Sequence, residues 1–268
     1  MKSNYNITLL ISSLGGGGAE KVCVNIANRF ADSGWKVDLV VLNLMDKSFL
    51  ADVSKKINLV VLNVNQIRHS SIPLANYIFK NKTKVVLVFN HELAVILAIV
   101  RILLRLKIII ISRNISVLSI KIKQYDSQNF FKKNIIKPLV KYFYRKIDYV
   151  INQSENMRDD LISVFPQFLK NSCVIYNPIS IQITDYANKF DFNKIEKKNY
   201  ILCVGRLERV KGFDLAIEGF AGISKRFPNL RLKIVGNGKL KNDLKKKAIE
   251  YGVFDKIDFE GFQNDIIP

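Results

Sequence analysis

"NITLLISSLGGGGAEKVCVNIANRF", residues 6–30, contains an apolar run, four consecutive glycines and an amphipathic pattern. The run at 6–12 is typical of a buried strand, and the apolar residues of 19–33 recur at helical spacing until Gly34. The segment therefore predicts a strand, a glycine loop and a helix. Backbone N–H groups of such a loop, at the N-terminus of a helix, can bind an anion.

The glycine loop matches neither of two standard phosphate-binding motifs. Counted from Gly15, the dinucleotide motif G-x-G-x-x-G requires glycine where the chain has Glu20. A P-loop counted from the same residue requires Gly-Lys where the chain has Glu20 and Lys21. The motif alone leaves the ligand of this loop open.

Strand-like and helical segments alternate along the chain. Further strand-like runs lie at 36–43, 57–63, 84–89, 107–112, 148–153 and 172–176. Their continuous Val and Ile content is expected of parallel strands that are covered on both faces. After a polar, irregular stretch at 181–199, the pattern restarts with strands at 200–205, 230–236 and 256–261 and helices at 213–227 and 239–252.

This alternation predicts an α/β fold with two Rossmann-like domains of parallel sheet. We expect an N-terminal domain at 1–180, a linker at 181–199 and a C-terminal domain at 200–268. A parallel sheet of three strands leaves an edge and much of a face open, so we expect the second domain to be incomplete.

The composition limits the classes of function. The net charge of +19 implies an anionic partner such as nucleic acid, acidic lipid or nucleotide phosphates. Two histidines, and three cysteines without a C-x-x-C motif, do not favour a zinc site. The most apolar segment, 93–111, contains Arg101, Arg105 and Lys107, so we expect no transmembrane helix.

The loop in "VGRLERVKGF", residues 204–213, has the residues expected of a diphosphate site. Gly205 ends a strand, and Arg206 and Lys211 precede a helix that opens at Gly212. The planar fork of arginine, the point charge of lysine and the free N–H groups of a helix end suit a diphosphate. Two solvated surface cations are an equally good interpretation of the spacing alone.

A second loop of this kind lies in "KIVGNGKL", residues 233–240. Gly236, Asn237 and Gly238 connect a strand to a helix, and such loops line the ligand crevice of open α/β sheets. A turn that simply needs small residues explains the loop as well.

These two loops and "KIDFEGF" at 256–262 resemble successive motifs of the nucleotide-sugar-binding domain of retaining glycosyltransferases of the GT-B fold, family-4 type. In the first half, the glycine loop, "SRN" at 112–114, "DYVINQSENMRDDL" at 148–161 and "VIYNPI" at 174–179 resemble the N-terminal domain of that family. The ordered set covers nearly the whole chain.

The resemblance implies two domains that face each other across a cleft, with the donor on the C-terminal domain and the acceptor on the N-terminal one. Arg206 and Lys211 match the pair that binds the donor diphosphate and stabilises charge on the departing nucleotide. The remaining donor-binding candidates are Gly17, Gly18, Gly205, Gly236, Asn237 and Gly238. The resemblance implies no divalent metal, because Arg206 and Lys211 replace it, and no cofactor, because the nucleotide-sugar is a substrate.

The sequence departs from the family in two respects. The family's donor domain normally continues into two glutamates separated by seven residues, and the sequence ends before them, so we expect a fragment or a natural truncation. Many relatives carry a histidine after the fifth strand, where this chain has Arg113 and Asn114. His91 ends an earlier strand, and these three residues are the acceptor-side candidates, with a capping or exposed histidine as the alternative for His91.

The segment "FFKKNIIKPLVKYFYRKIDYV", residues 130–150, is basic and apolar at once. A helix would place Lys133, Lys137, Lys141 and Arg145 along one stripe, and Ile136, Leu139, Val140 and Phe143 along an apolar side. Pro138 would fit best in a first turn. The pattern suits an anionic membrane surface, and equally a helix packed on the sheet with a solvated basic face.

The resemblance favours a glycosyltransferase that moves a sugar from a UDP- or GDP-sugar to a glycan or polyprenyl-linked acceptor. The resemblance implies biosynthesis of a surface polysaccharide (O-antigen, capsule or lipopolysaccharide) at the cytoplasmic face of the membrane. The alternatives are an inactive remnant of such an enzyme, or an NAD-dependent nucleotide-sugar-modifying enzyme, which the broken dinucleotide motif disfavours. Charge alone suggests a nucleic-acid-binding module, and no recognisable motif for one is present.

Overall fold

The computed structural model describes residues 5–179, 181–191, 194, 196 and 198–263. Contacts between Cα atoms divide the chain into two compact units, Met1–Ser180 and Ile181–Pro268. Parts of the predicted domains and linker, namely residues 1–4, 180, 192, 193, 195, 197 and 264–268, lie outside the described residues.

The first unit is built on a sheet of seven parallel strands. They are β1 (Asn6–Ile11), β2 (Lys36–Val41), β3 (Asn58–Val61), β4 (Val85–Val88), β5 (Ile109–Arg113), β6 (Tyr149–Asn152) and β7 (Ser172–Val174). Their order is β3-β2-β1-β4-β5-β6-β7, so every run predicted in this half is a strand. The order reverses between β1 and β4, and open α/β sheets bind ligands at the carboxyl ends of strands at such a switch point.

Helices cover both faces of this sheet. They are α1 (Gly18–Asp32), α2 (Ser71–Asn81), α3 (His91–Leu103), α4 (Leu118–Lys123), α5 (Lys137–Tyr144) and α6 (Glu155–Val164). Leu9 belongs to an apolar cluster with Cys23 of α1, whereas Leu10 belongs to a cluster with Leu97 of α3 and Tyr144 of α5. Successive strand residues point to opposite faces, so both faces are buried and the strands are continuous apolar runs.

The second unit has a parallel sheet of three strands, β8 (Tyr200–Val204), β9 (Arg231–Val235) and β10 (Ile257–Gly261), in the order β10-β9-β8. Its helices are α7 (Ile181–Ala187), α8 (Phe213–Ser224) and α9 (Lys241–Glu250). Ile217, Phe220 and Leu232 form the centre of its apolar core. On β8, Leu202 and Val204 are half-exposed. The strands and the helices α8 and α9 lie where the sequence predicts them.

Two segments differ from the predictions. The helix α7 lies in the stretch predicted to be irregular, and the rings of Tyr186 and Phe190, four residues apart, contact each other with centroids at 4.7 Å. In the basic segment, a π-helical turn at Lys132–Ile136 runs into α5, with Pro138 in the first turn as predicted. Leu139, predicted on one apolar side with Val140 and Phe143, is 43% exposed, whereas Val140 and Tyr144 face the core.

Candidate functional site

The glycine loop joins β1 to α1 beside the switch point of the first sheet. None of the glycines at 15–18 has a positive φ. A Cβ atom added to Gly18 would meet no atom within 4 Å, and one added to Gly17 would meet the flexible side chain of Glu20. The helix begins without a side-chain cap at Gly17. The backbone therefore does not require glycine at these two positions, whereas close approach of a ligand to the helix N-terminus would.

The loop after β2 lies against the glycine loop. The N–H of Phe49 donates to the carbonyl oxygen of Leu14 at 2.9 Å, and a Cβ added to Gly15 would stand 2.9 Å from the carboxyl carbon of Asp46. Hydrogen bonds from the hydroxyl and N–H of Ser48 hold the pKa of Asp46 below its usual value. An ionised carboxylate therefore borders the loop. Sequence reasoning missed Asp46, because only the pairing of β2 with β1 brings it here.

A cavity of about 240 Å³ opens beside the end of β4, next to β1 in the sheet. Its polar lining includes His91, Glu92, Lys121, Gln124, Tyr125 and Gln128. The side chain of Asn90 caps α3 by accepting from the N–H of Glu92 at 2.7 Å, which fixes the start of the helix. Carboxylate, amine, amide and phenol groups around one cavity are suited to hydrogen-bonding several hydroxyl groups.

The protonation of this cavity follows from burial. Burial lowers the pKa of His91 below 6.5; nearby Lys121 lowers it further and Glu92 opposes the shift, so the imidazole is neutral at neutral pH. The hydroxyl of Tyr125 donates to Oε1 of Glu92 at 3.3 Å. Burial and the charge of Glu92 raise the pKa of Tyr125 to about 12, so its hydroxyl remains a donor.

Arg113 and Asn114, the other two acceptor-side candidates, lie apart from the cavity that His91 lines. They lie at the end of β5, only 1% and 3% exposed, and do not line the cavity beside His91. The guanidinium of Arg113 donates to the carbonyl oxygen of Ile175 and to Oδ1 of Asn177, each at 3.0 Å. In this structure Arg113 ties the segment after β7 to β5, and a ligand contact by either residue stays a prediction.

Asn114 belongs to a buried polar network. Its Oδ1 accepts from the hydroxyl of Tyr144 at 2.7 Å, and its Nδ2 donates to Oδ1 of Asn152 at 3.0 Å. Within the described chain, Nε of Arg113 and Nδ2 of Asn152 are buried donors without a partner. Sequence reasoning missed Tyr144 and Asn152, since 30 and 38 residues separate them from Asn114.

In the second unit, Arg206 and Lys211 lie at the same strand end. Arg206 directly follows Gly205, and a Cβ added to Gly205 would stand 3.9 Å from Cδ of Lys211. The side chain of Arg206 is 59% exposed and pairs with Glu208 at 3.3 Å. Lys211 ends a short 3-10 turn, and Gly212, with φ of 67°, begins α8 without a side-chain cap. Two cations therefore flank an uncapped helix N-terminus, as the sequence predicts.

The loop of Gly236, Asn237 and Gly238 packs against this strand end. The N–H of Leu207 donates to the carbonyl oxygen of Asn237 at 2.9 Å, and a Cβ added to Gly238 would stand 2.5 Å from the carbonyl oxygen of Leu207. Gly236 has φ of 139°. Close backbone packing is thus sufficient reason for both glycines, and their contact with a donor stays a prediction. Asn237 is exposed.

The described residues contain no group of three or more His, Cys, Asp or Glu side chains that could hold a metal ion. No helix in the described ranges is both long enough and apolar enough to cross a membrane.

The motifs of both units agree with comparisons to known proteins. Residues 16–183, more than half of the chain, match the family model described as Glycosyltransferase Family 4. The chain belongs to glycosyltransferase family 4. Residues 185–267 of this family 4 chain match the model described as Glycosyl transferases group 1.

Two curated relatives cover different shares of this family 4 chain. An uncharacterized glycosyltransferase of Haemophilus influenzae is 27% identical over 93% of this chain and 67% of its own length. An N-acetylgalactosaminyltransferase of Campylobacter jejuni, named as acting on a diphospho-undecaprenol-linked saccharide, is 29% identical over 52% of this chain and 36% of its own length. The chain therefore spans between about a third and two thirds of these relatives.

A solved structure supports the predicted fold. The crystal structure of Anabaena HepE in complex with UDP superposes on 98% of this chain with a TM-score of 0.70 and 18% identity, covering 70% of that protein. The GT-B fold with Rossmann-like, parallel-sheet units is confirmed.

Proposed function

We propose that this family 4 protein is a glycosyltransferase that moves a sugar from a UDP- or GDP-sugar to a glycan or polyprenyl-linked acceptor, in the biosynthesis of a surface polysaccharide. The observation that carries the proposal is the meeting of Arg206 and Lys211 at the Gly205 strand end, beside the uncapped start of α8. UDP in the Anabaena structure and the undecaprenol-linked acceptor in the name of the Campylobacter relative support the classes of donor and acceptor.

The diphosphate of the donor would replace Glu208 as the partner of Arg206. That ion pair is exposed and spans 3.3 Å, so breaking it costs little free energy. The guanidinium then forms two parallel hydrogen bonds to phosphate oxygens, while Lys211 adds a second positive charge. The N-terminal N–H groups of α8 add a partial positive charge from the helix dipole.

These cations would act most strongly as the reaction proceeds. The bond between the anomeric carbon and the diphosphate oxygen breaks, and negative charge grows on the leaving nucleotide where Arg206 and Lys211 lie. The acceptor hydroxyl forms the new bond on the face that the nucleotide leaves, so the anomeric configuration is retained and the hydroxyl proton passes to the departing diphosphate. In this scheme the cations take the place of a divalent metal, and no cofactor takes part.

The acceptor would bind to the first unit at the cavity beside His91. The carboxylate of Glu92 can accept hydrogen bonds from sugar hydroxyls, the amides of Gln124 and Gln128 can accept or donate them, and neutral His91 can accept one. Gly17 and Gly18 stay proposed donor contacts, because glycines leave the N-terminus of α1 open to an anion. We also place the protein at the cytoplasmic face of a membrane, as a peripheral protein, because its charge and basic segment match an anionic surface.

The proposal is tested by transfer itself. The full chain is incubated with UDP- and GDP-sugars and a synthetic polyprenyl-diphosphate saccharide, and the product is identified by mass spectrometry. A product heavier by one sugar, formed in the presence of a chelator and lost in Arg206→Gln, is the expected result. Donor binding without any product would indicate the inactive remnant, and turnover that requires NAD would indicate a different class of enzyme.

A further inference from the structure

The helix α5 and the π-helical turn before it carry an exposed apolar stripe. Phe131, Ile135, Leu139 and Tyr142 are 55%, 44%, 43% and 55% exposed, and Phe130 is 80% exposed. Phe131, Ile135, Leu139 and Tyr142 are spaced by four, four and three residues, which places them on one side of a helix. We refer to Phe130, Phe131, Ile135, Leu139 and Tyr142 as the apolar stripe.

The apolar stripe is distinct from the side of the helix that packs on the sheet. Val140 and Tyr144 are 5% and 0% exposed and belong to the main core cluster, against which Ile136 and Phe143 also pack. The segment is therefore apolar on two sides, of which only one is covered within the described chain. Contiguous exposed apolar surface of this kind marks a binding surface for a second apolar phase or partner.

Lysines border the apolar stripe. Lys132, Lys133, Lys141 and Lys146 are exposed and form no ion pair with a carboxylate of the described residues. Nζ of Lys146 lies 5.3 Å from the ring centre of Tyr142. The sequence contains no Asp or Glu from 127 to 147. The surface is thus apolar in the middle and positive at its margin.

Two of the predicted membrane contacts, Lys137 and Arg145, contact other residues of the first unit. The ammonium of Lys137 pairs with Asp126 at 2.6 Å, and its side chain is only 22% exposed. The guanidinium of Arg145 lies over the ring of Phe165, 5.9 Å from its centre. The hydrogen bond from Lys137 lowers the pKa of Asp126, and the nearby charges of Lys133 and Lys141 lower it further. Neither Lys133 nor Lys141 forms an ion pair within the described residues.

We propose that the apolar stripe inserts into the headgroup region of an anionic lipid bilayer, while Lys132, Lys133, Lys141 and Lys146 contact the lipid phosphates. The proposal rests on the peripheral location proposed above and makes it specific; it does not depend on transferase activity. An apolar band bordered by lysines matches a bilayer, which offers acyl chains beside negative headgroups. A two-fold contact between two copies would instead bring the same lysines together, and like charges would oppose it.

The test measures binding of the full chain to vesicles by flotation. Vesicles of phosphatidylcholine mixed with phosphatidylglycerol are compared with phosphatidylcholine alone. The apolar variant is Ile135→Ser with Leu139→Ser, and its matched control is Ile72→Ser with Phe79→Ser, two residues of α2 that are 72% and 75% exposed. The charge variant is Lys133→Gln with Lys141→Gln. Circular dichroism verifies that each variant is folded.

We expect wild type and the α2 control to bind the anionic vesicles alike, and the apolar variant to bind at least about tenfold more weakly. The affinity of the charge variant for anionic vesicles should fall about fivefold per lysine at low salt. Because the sequence has a single tryptophan, Trp35, a Phe131→Trp variant with Trp35→Phe reports insertion by a blue-shifted emission on vesicles.

Equal vesicle binding by the apolar variant and wild type would overturn the proposal, as would tryptophan emission from the Phe131→Trp variant that vesicles leave unchanged. Self-association of wild type in sedimentation, absent in the apolar variant and without vesicle binding by either, would assign the apolar stripe to a second copy. Donor binding is measured separately by the nucleotide-induced shift in melting temperature. Failure of that shift with intact vesicle binding would reject the transferase function and leave this proposal standing.

Discussion

A Cβ atom added to Gly236 would overlap the carbonyl oxygen of Gly205 and stand 2.9 Å from its carbonyl carbon. The loops after β8 and β9 therefore pack backbone against backbone, and the φ of 139° at Gly236 adds strain for any other residue. Gly236 and Gly238, in the loop after β9, are therefore required for folding. Gly17 and Gly18 of the first unit are not required by backbone packing.

Gly236→Ala should destabilise the second unit by about 3 kcal/mol. Thermal unfolding followed by circular dichroism should show a lower transition for this unit, while Trp35 fluorescence, which reports only the first unit, keeps its midpoint. Gly222→Ala is the control, because its Cβ meets no atom within 4 Å inside α8 and should stabilise by about 1 kcal/mol. Equal midpoints for the two variants would contradict the packing argument.

Gly18→Ala should behave in the opposite way. Its Cβ meets open space, so the free energy of unfolding should change by less than about 1 kcal/mol. In Gly18→Ala, binding of the nucleotide-sugar should weaken about tenfold or more, because the added methyl group keeps the diphosphate from the backbone. Gly17→Val, with a larger side chain, should reduce turnover much more than stability. Calorimetric titration and urea unfolding of the same sample provide both numbers. A loss of stability that matches the loss of binding would make these glycines a folding feature only.

Tyr144→Phe should cost about 1–3 kcal/mol of stability, because it leaves the buried Oδ1 of Asn114 without the hydrogen bond from the hydroxyl of Tyr144. Tyr142→Phe, two residues away and 55% exposed, should change stability by less than about 0.5 kcal/mol. Urea unfolding of both variants measures the difference. Similar values for the pair would show that the network around Asn114 contributes no net stability.

His91 should make stability depend on pH. Burial lowers its pKa in the folded state below 6.5, so the unfolded chain takes up a proton at a higher pH than the folded protein does. The stability that neutral His91 contributes is therefore complete above the unfolded-state pKa of about 6.5. It is lost as the pH falls from there towards the folded-state pKa. Between pH of about 7.5 and 5.5, the unfolding free energy of wild type should fall more than that of His91→Asn. His69→Asn, at an exposed position, is the control, and parallel curves for wild type and His91→Asn would reject the assignment.

The sequence predicts the strands of both units well, because in each the strands are short runs rich in Val, Ile and Leu; in the first unit these runs are buried on both faces of the sheet. The sequence also identifies Arg206 and Lys211 as neighbours, because they lie only five positions apart in one loop. The reason for a glycine is not readable from sequence: Gly18 and Gly236 both follow strands, and only the structure shows which one packs against backbone.

Long-range contacts account for what sequence reasoning missed. Asp46 reaches the glycine loop only through the pairing of β2 with β1, and Tyr125 reaches Glu92 across 33 residues. Helical periodicity identifies the apolar residues of α5 without telling which side faces the core. It therefore groups Leu139 with Val140, although only Val140 faces the core. It also places Lys137 among the membrane-surface candidates, although Lys137 pairs with Asp126 in the structure.

Thermal unfolding of the full chain with UDP-sugars, GDP-sugars and NAD tests the nucleotide-sugar site most directly. A bound ligand raises the melting temperature progressively once its concentration exceeds the dissociation constant. We predict that a UDP- or GDP-sugar raises it without added metal, that NAD does not, and that Arg206→Gln and Lys211→Gln abolish the rise while Lys241→Gln, at the start of α9, keeps it. A rise that is the same in Arg206→Gln as in wild type, or one produced by NAD alone, would contradict a donor site at the Gly205 strand end.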